Sequence, residues 1–432
     1  MGGGLLQLVA YGAQDAYITG NPQITFWKSL YKRHTNFAME SFRVNFSGTT
    51  QWGSKQTAIV GRHADLLYST YLQVELPKQD KNSADYSWNN EQNSLGYNLL
   101  RYIELDIGGQ IIDRLYSEWL YLWTLLTSDT KKEEKLRKLL SGDAFNTDAT
   151  LLVNSPGCSK PTGRQRSPNV FYVPLDFFYT RSPGAALPLI ALQYHEVKIN
   201  VIWSDPEFIV GNFVSTNNGQ GIGNLPQPTS SAIYVDYIYL DTEERRRMAQ
   251  ASHEYLIEQV QFNEDKSITS ANNRIDLTFN HPVKELVWVV QPSYYRDCSI
   301  MRQKSPPETR LKPFTYDTNP VYEQWIQING QDRMDRRYGN YFNRVQSYQH
   351  HTGSLQTQLG VYSYSFALKP EEHQPSGTCN FSRIDTATIV MNLGDSAVGN
   401  DDDTETWDVR VYAINYNILR VMSGMAGLAY SN

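Results

Sequence analysis

The chain is poor in cysteine, in charge and in long apolar runs, and each shortage closes off a class of protein. Three cysteines, Cys158, Cys298 and Cys379, lie scattered through 432 residues. They are too few for a disulfide framework and too dispersed for a zinc site, so they read as free thiols in a protein made in a reducing compartment. Charged residues make up only 19%, below the roughly 25% of ordinary soluble domains. With 39 basic against 45 acidic side chains the formal charge is −6. Direct nucleic-acid binding is therefore not expected, because it needs a basic field to displace counterions. No run approaches the roughly 18 apolar residues of a membrane span. The opening Met1–Gln14 has neither the basic start nor the apolar centre of a signal peptide, and Leu6 stands where myristoylation requires Ser or Thr.

What is abundant points to sheet. Hydrophobic residues reach 40% and aromatics 12%, with 29 tyrosines, enough apolar surface for a buried core. Tyr together with Asn, Gln, Ser and Thr suits half-buried strand surfaces. A chain of this length predicts two or three domains. Period-two alternation is widespread: in Thr70–Leu76, Leu72, Val74 and Leu76 share one face while Gln73 and Glu75 share the other. It recurs in Arg101–Ile107, Glu196–Val201, Ile233–Tyr239, Ile275–Phe279, Val321–Ile328 and Ala387–Met391. It is longest where Trp407, Val409, Val411 and Ala413 oppose Asp408, Arg410 and Tyr412. Gly, Pro, Asn and Asp clusters separate the runs, the pattern of an antiparallel sandwich or barrel.

Helical spacing is confined to a few places. Residues 1–20 are Gly-rich, carry no period and read as an arm. After Gly20-Asn21-Pro22, the spacing of Ile24, Trp27, Leu30 and Tyr31 predicts a short amphipathic helix, with Lys28, Lys32 and Arg33 on its remaining surface. Residues 115–141 read as helix, with a stripe of Leu115, Trp119, Leu122, Trp123 and Leu126. A second helix there is expected to start at Thr130 with a capping box to Glu133 and to end near Gly142. Glu133–Arg137 and Glu134–Lys138 are favourable i,i+4 pairs, so its Lys-rich face is read as solvated. The charged stretch Asp241–Arg247 reads as a helical linker.

A faint duplication organises the whole. Phe37-Ala38-Met39-Glu40 resembles Tyr255-Leu256-Ile257-Glu258, and Ile107-Gly108-Gly109-Gln110 resembles Ile328-Asn329-Gly330-Gln331. The offsets are 258 − 40 = 218 and 330 − 109 = 221. Their near-equality points to two copies of one β domain, each with room for about eight strands, the count of a jelly roll.

No catalytic, cofactor or metal constellation is found. His195-Glu196 and His253-Glu254 lack the second His of a zinc protease, since Ile199 and Ile257 occupy those places. Both pairs open period-two runs, where adjacent side chains point apart, so they read as strand-end polar pairs. There is no P-loop, no G-x-S-x-G elbow and no dinucleotide fingerprint. His350-His351 reads as part of a polar loop. The run Asp401-Asp402-Asp403-Thr404-Glu405 lacks the spacing of a calcium loop. The sequons at Asn45 and Asn380 are weak glycosylation candidates, about as many as chance would place in such a chain.

A resemblance then covers the chain from end to end. Leu8-Val9-Ala10-Tyr11-Gly12-Ala13-Gln14-Asp15 and Thr19-Gly20-Asn21-Pro22-Gln23-Ile24-Thr25-Phe26 resemble the start of major capsid proteins of nucleocytoplasmic large DNA viruses. The chlorella-virus (phycodnavirus) branch is nearest, and iridoviruses are also similar. Matching blocks continue in order at Pro188–Lys198, Val235–Thr242, His253–Gln259, Asn329–Arg333, Gln374–Asp385 and Met422–Tyr430. The resemblance implies an all-β double jelly roll, two eight-stranded sandwiches in tandem with short helical insertions. It implies homotrimers with a pseudo-hexagonal outline that tile an icosahedral shell, with N-terminal segments touching minor capsid proteins and glycans on outer loops. The implied place is the virion, assembled in the host cytoplasm. The expected division is an arm and helix start at 1–26, a first jelly roll at 27–241, a linker at 242–252 and a second jelly roll at 253–432. Alternative readings are a minor or variant capsomer paralogue and a jelly-roll module binding a glycan or receptor. An enzyme on a β scaffold is a further class, for which no paired motif speaks.

Overall fold

Side-chain alternation sets the strands. The computed structural model describes residues 2–77, 86–88, 94–141, 169–213, 227–296, 319–353, 355, 359–394 and 406–430. Up to the charged linker the strands are β1 (Phe37–Asn45), β2 (Lys55–Val60), β3 (Leu66–Leu76), β4 (Tyr86–Trp88), β5 (Leu100–Ile107), β6 (Gln110–Tyr116), β7 (Asn169–Pro174), β8 (Leu187–Pro188), β9 (Val197–Trp203), β10 (Val210–Phe213) and β11 (Ser230–Leu240). After the helix Thr242–Gln250 come β12 (His253–Ile268), β13 (Asn272–Asp276), β14 (Pro282–Pro292), β15 (Val321–Ile328), β16 (Gln331–Asp332), β17 (Arg337–Tyr338), β18 (Val361–Ser365), β19 (Cys379–Asn380), β20 (Ala387–Leu393), β21 (Trp407–Met422) and β22 (Met425–Leu428).

The first half forms sheets in the order β1-β11-β3-β7 and β2-β9-β5-β6. The second half forms β12-β21-β14-β18 and β13-β20-β15-β16. Counting only the strands in these four orders, each half reads 1-8-3-6 and 2-7-4-5. One topology is used twice, and it is that of a jelly roll. The duplicated motifs fall on equivalent elements. Glu40 and Glu258 lie on the first strands, β1 and β12, of their halves. Gly108-Gly109 closes β5 onto β6 and Asn329-Gly330 closes β15 onto β16, both with positive φ at both residues (62° and 87°, 50° and 75°). That conformation is the two-residue turn whose twist matches flanking strands, and it selects Gly and Asn.

Two cores result. One belongs to the second roll and contains Ile275, Leu277, Leu286, Trp288, Val290, Ile326, Ile389 and Val411. The other fills the first roll and runs on into the second, adding Ile257, Val260, Val287, Val289, Tyr412 and Ile414. β14 therefore buries both faces, sending alternate side chains into different cores.

Several expectations are corrected. Residues 24–31 form no helix, whereas Gly3–Val9 and Asp15–Thr19 do. A run of eight residues rich in Ile, Thr, Phe and Trp has weak helix propensity and gains little without a surface to pack on, while Leu and Gln favour the earlier turn. Leu115 belongs to β6, and the helix begins at Ser117. That helix, Ser117–Thr127, is buried nearly all round and not along one stripe. The next helix is capped by Asp129, whose Oδ1 accepts from Thr130 N at 2.9 Å and whose carbonyl accepts from Glu133 N, so Thr130 is not the cap. Its Glu133–Arg137 and Glu134–Lys138 pairs form as read. β13 ends at Asp276, although Leu277 and Phe279 stay buried as the alternation requires. Along β21 the polar face is buried too, because the first roll covers it. By internal contacts the chain divides into Met1–Phe37 and Ala38–Asn432.

Candidate functional site

The seam between the two rolls is built from the helix Ser117–Thr127, which follows β6, and the face it meets on β12, β14 and β21. Trp119 stacks on Trp123 at 5.4 Å and lies 5.6 Å from Tyr412, with Tyr116 and Phe262 completing the aromatic layer. Glu118, in the first turn of this helix, is held by the second roll. Arg410 donates to it through Nε at 2.7 Å and Nη2 at 2.8 Å, and Tyr412 donates its hydroxyl at 2.5 Å. Arg410 also donates to Gln291 at 2.7 Å. Burial with Glu118 alongside pushes the Tyr412 hydroxyl well above its ordinary range. A fork-to-fork Arg–carboxylate pair fixes geometry as well as charge.

A second polar cluster lies along the same seam. Glu258 on β12 accepts from Lys284 at 2.6 Å and from Arg181, which also meets Asp176 at 3.4 Å. Burial would push Glu258 up, but the two cations outweigh it and hold its carboxyl below the usual range. Asp113 on β6 accepts from Val260 N at 3.1 Å and Arg114 N at 2.9 Å, linking β6 to β12. Its carboxyl is pushed up to about 7, chiefly by burial.

The helix end is closed from the second roll as well. Thr352 donates its hydroxyl to Thr127 O at 3.0 Å, and Gly353 N donates to Leu126 O at 2.7 Å. The last carbonyls of a helix lack partners of their own, and here the second roll supplies them. Any Cβ at Gly353 would collide with the Leu125 carbonyl. His351, read as part of a polar loop, is instead a buried side chain gripped by Glu285 at 2.5 Å and Glu371 at 3.2 Å. Burial lowers its affinity for a proton, but Glu285 and Glu371 outweigh this and lift it to about 9. The low-complexity look of Gln349-His350-His351-Thr352 concealed this, and no local spacing announces a partner 66 residues away.

The other sequence candidates are scattered. His195 Nδ1 accepts from Ala426 N at 3.2 Å, and Tyr194 N donates to Gly424 O at 2.9 Å, tying the first roll to the β21–β22 turn. His253 reaches Met248 O at 2.8 Å and Glu254 pairs with Arg420 at 2.8 Å, while Glu196 meets Lys198 at 3.4 Å, so the members of each His-Glu pair have separate partners. Asn45 is exposed at the end of β1. Asn380 is exposed, but its Oδ1 accepts from Ser382 N at 3.1 Å while the Ser382 hydroxyl accepts from His281 N at 2.7 Å. Cys379 is a half-buried thiol raised by burial. Cys158, Cys298 and the acidic run 401–405 lie outside the described residues. Among the described residues no group of His, Cys, Asp and Glu is arranged to hold a metal ion. What the seam can do is mechanical: it sets two jelly rolls in one fixed relation.

Two jelly rolls locked side by side in one chain are matched by known proteins. Residues 244–427 match the family described as large eukaryotic DNA virus major capsid protein, and residues 25–241 match the major capsid protein N-terminus. The chain belongs to the major capsid proteins of large eukaryotic DNA viruses. It is 43% identical to the major capsid protein of Pyramimonas orientalis virus and 41% identical to that of Paramecium bursaria Chlorella virus 1, each over the full length of both chains. The crystal structure of PBCV-1 VP54 superposes with a TM-score of 0.74 at 35% identity, covering 94% of this chain and all of that one. The Faustovirus major capsid protein shares the fold at 12% identity and a TM-score of 0.68. This capsid protein is thus a double jelly roll with a structural role in the virion shell.

Proposed function

We propose that this capsid protein assembles as a homotrimer with a pseudo-hexagonal outline and that these capsomers tile the icosahedral shell. The observation that carries the reading is the repeated topology inside one rigidly joined chain. Three such chains present six similar sandwiches, so a three-fold axis yields a nearly six-fold outline and lets neighbours meet on similar edges. The functional division proposed is an arm at 1–26, jelly rolls at 27–241 and 253–432, and a linker at 242–252. The arm is assigned to minor capsid proteins, since Leu5, Leu8, Ile24 and Phe26 are exposed apolar side chains and such patches mark contact sites. Loops at one end of the sandwiches are free to carry glycans, with Asn45 and Asn380 as weak candidates. Assembly is assigned to the host cytoplasm.

Light scattering on the purified protein tests the trimer. A species of three times the 49.5 kDa chain, stable to dilution, is expected. A persistent monomer would overturn the assignment. Deleting residues 1–25 should leave trimers intact and block lattice assembly, and loss of the trimer itself would refute the role given to the arm.

A further inference from the structure

The duplication provides an internal control for the hairpins β5–β6 and β15–β16. On the outer face of β5, Glu104 accepts from Arg114, its partner across the hairpin, at 3.0 and 2.7 Å, and from Lys55 at 3.0 Å. The offset of 221 carries Glu104 to Trp325. One step beyond the Gln324–Arg337 pair, Arg336 lies over that indole at 4.5 Å. The second roll therefore keeps the arginine and replaces its carboxylate with an aromatic face, so the charge is held in place without being neutralised.

Arg336 has company. Arg337 lies over Tyr341 at 4.2 Å, and Arg336, Arg337 and Arg344 line one open cavity of about 670 Å³ with Tyr338, Tyr341 and Asp335. All three arginines are exposed, and none makes an ion pair among the described residues. The wall at Tyr341–Val345 is a π-helical turn, an uncommon geometry frequent at functional sites. The rim is the edge of the sheet β13-β20-β15-β16, where β16 and β17 are each two residues long. An edge strand leaves one row of backbone donors and acceptors without a sheet partner.

We propose that this groove docks an extended, carboxylate-rich polypeptide segment of another protein chain in the shell. Stacking fixes each guanidinium plane and leaves its fork of N–H donors turned outward, the geometry that carboxylates match in pairs. The short sheet edge beside it offers backbone hydrogen bonds to an extended peptide. A nucleic-acid strand fits less well, because Asp335 sits among the arginines and the chain carries a net −6. The proposal goes beyond the trimer reading and takes from the shell role only where the partner would be met.

The test is fluorescence anisotropy on the full chain with a labelled peptide alternating Glu and Thr, and with a control alternating Gln and Thr. The Glu peptide should bind about tenfold or more tighter than the control and weaken as salt rises. R336Q/R337Q should lose that margin. W325E, which restores the first roll's carboxylate beneath the arginine, should lose it with both arginines still present. R420Q, at an exposed arginine elsewhere, should leave it unchanged. Equal binding of the two peptides would overturn the proposal, as would equal losses in R420Q and R336Q/R337Q. Tighter binding of oligodeoxythymidylate or of a polyuronate than of the Glu peptide would also overturn it. If W325E melts early, R336Q/R337Q decides alone. Light scattering on the same samples reports the trimer separately, so failure of the groove and failure of the capsomer reading are distinguishable.

Discussion

The two rolls share a topology but not an environment. The sheet β12-β21-β14-β18 is covered on its outer face by the first roll, so Arg410 and Tyr412 on β21 are buried. The equivalent sheet of the first roll, β1-β11-β3-β7, shows Met39, Tyr71 and Tyr172 exposed. Hydrogen-bonded strand order is thus insensitive to what lies outside the sheet, while the chemistry of the outward side chains is decided by it. Where the second roll is covered, charges appear in hydrogen-bonded sets such as Glu118–Arg410–Tyr412. Where a sheet face is open, tyrosines and single polar groups suffice.

The sharpest way to break the comparison is to unpair the covered face. Glu118→Ala leaves Arg410 buried without its carboxylate and should cost about 3–5 kcal/mol, read from urea unfolding. A loss below about 1 kcal/mol would mean that the seam is not sealed from water.

A smaller effect separates the two hairpin turns. Gly108→Asn copies the second roll's Asn329 into the first, yet a side chain there meets the His195 ring. It should lower stability by about 1–3 kcal/mol. Asn329→Gly meets no clash but loses the Oδ1 that accepts from Asp385 N at 3.0 Å and Thr386 N at 3.1 Å, so it should cost less, about 0.5–1 kcal/mol. Equal costs at both sites in thermal melts would show that the turns are interchangeable after all.

The pH response concerns the clamp between the second roll and the helix end. His351 is raised from the ordinary imidazole value of 6.5 to about 9. The folded state therefore binds the proton more tightly, and this contribution is complete below about pH 6.5 and fades as pH climbs through 9. His351→Gln should flatten that limb of a stability profile taken between those values. Asp113, raised to about 7 by burial, adds a fall in stability from about pH 4 to 7 that Asp113→Asn should remove. A wild-type profile that rises across either window would contradict the assignment.

The smallest change belongs to the open surface. Glu254→Ala breaks the exposed pair with Arg420 and should cost no more than about 0.5 kcal/mol. A cost approaching that of Glu118→Ala would erase the distinction between covered and open faces.

Much of the fold was legible before any coordinates. Val74 and Leu76 alternate with Gln73 and Glu75 because a strand turns successive side chains to opposite faces, and that rule is local. The paired turns at Gly109 and Gly330 were legible because positive φ selects Gly and Asn regardless of surroundings. The helix at 24–31 was misread because a period of apolar residues carries no information about whether a surface is present to receive them. His351 and Arg410 were missed as structural charges because their partners, Glu285 and Glu118, lie far away in sequence.

The sequence by itself therefore determined strand positions, the two-fold repeat and the tight turns, since each follows from backbone preferences over a few residues. Only the tertiary structure decided which strand faces are sealed and which arginines are neutralised. Both depend on what another segment brings within hydrogen-bond reach, and at such short range the pairing and desolvation of charges outweigh any local preference.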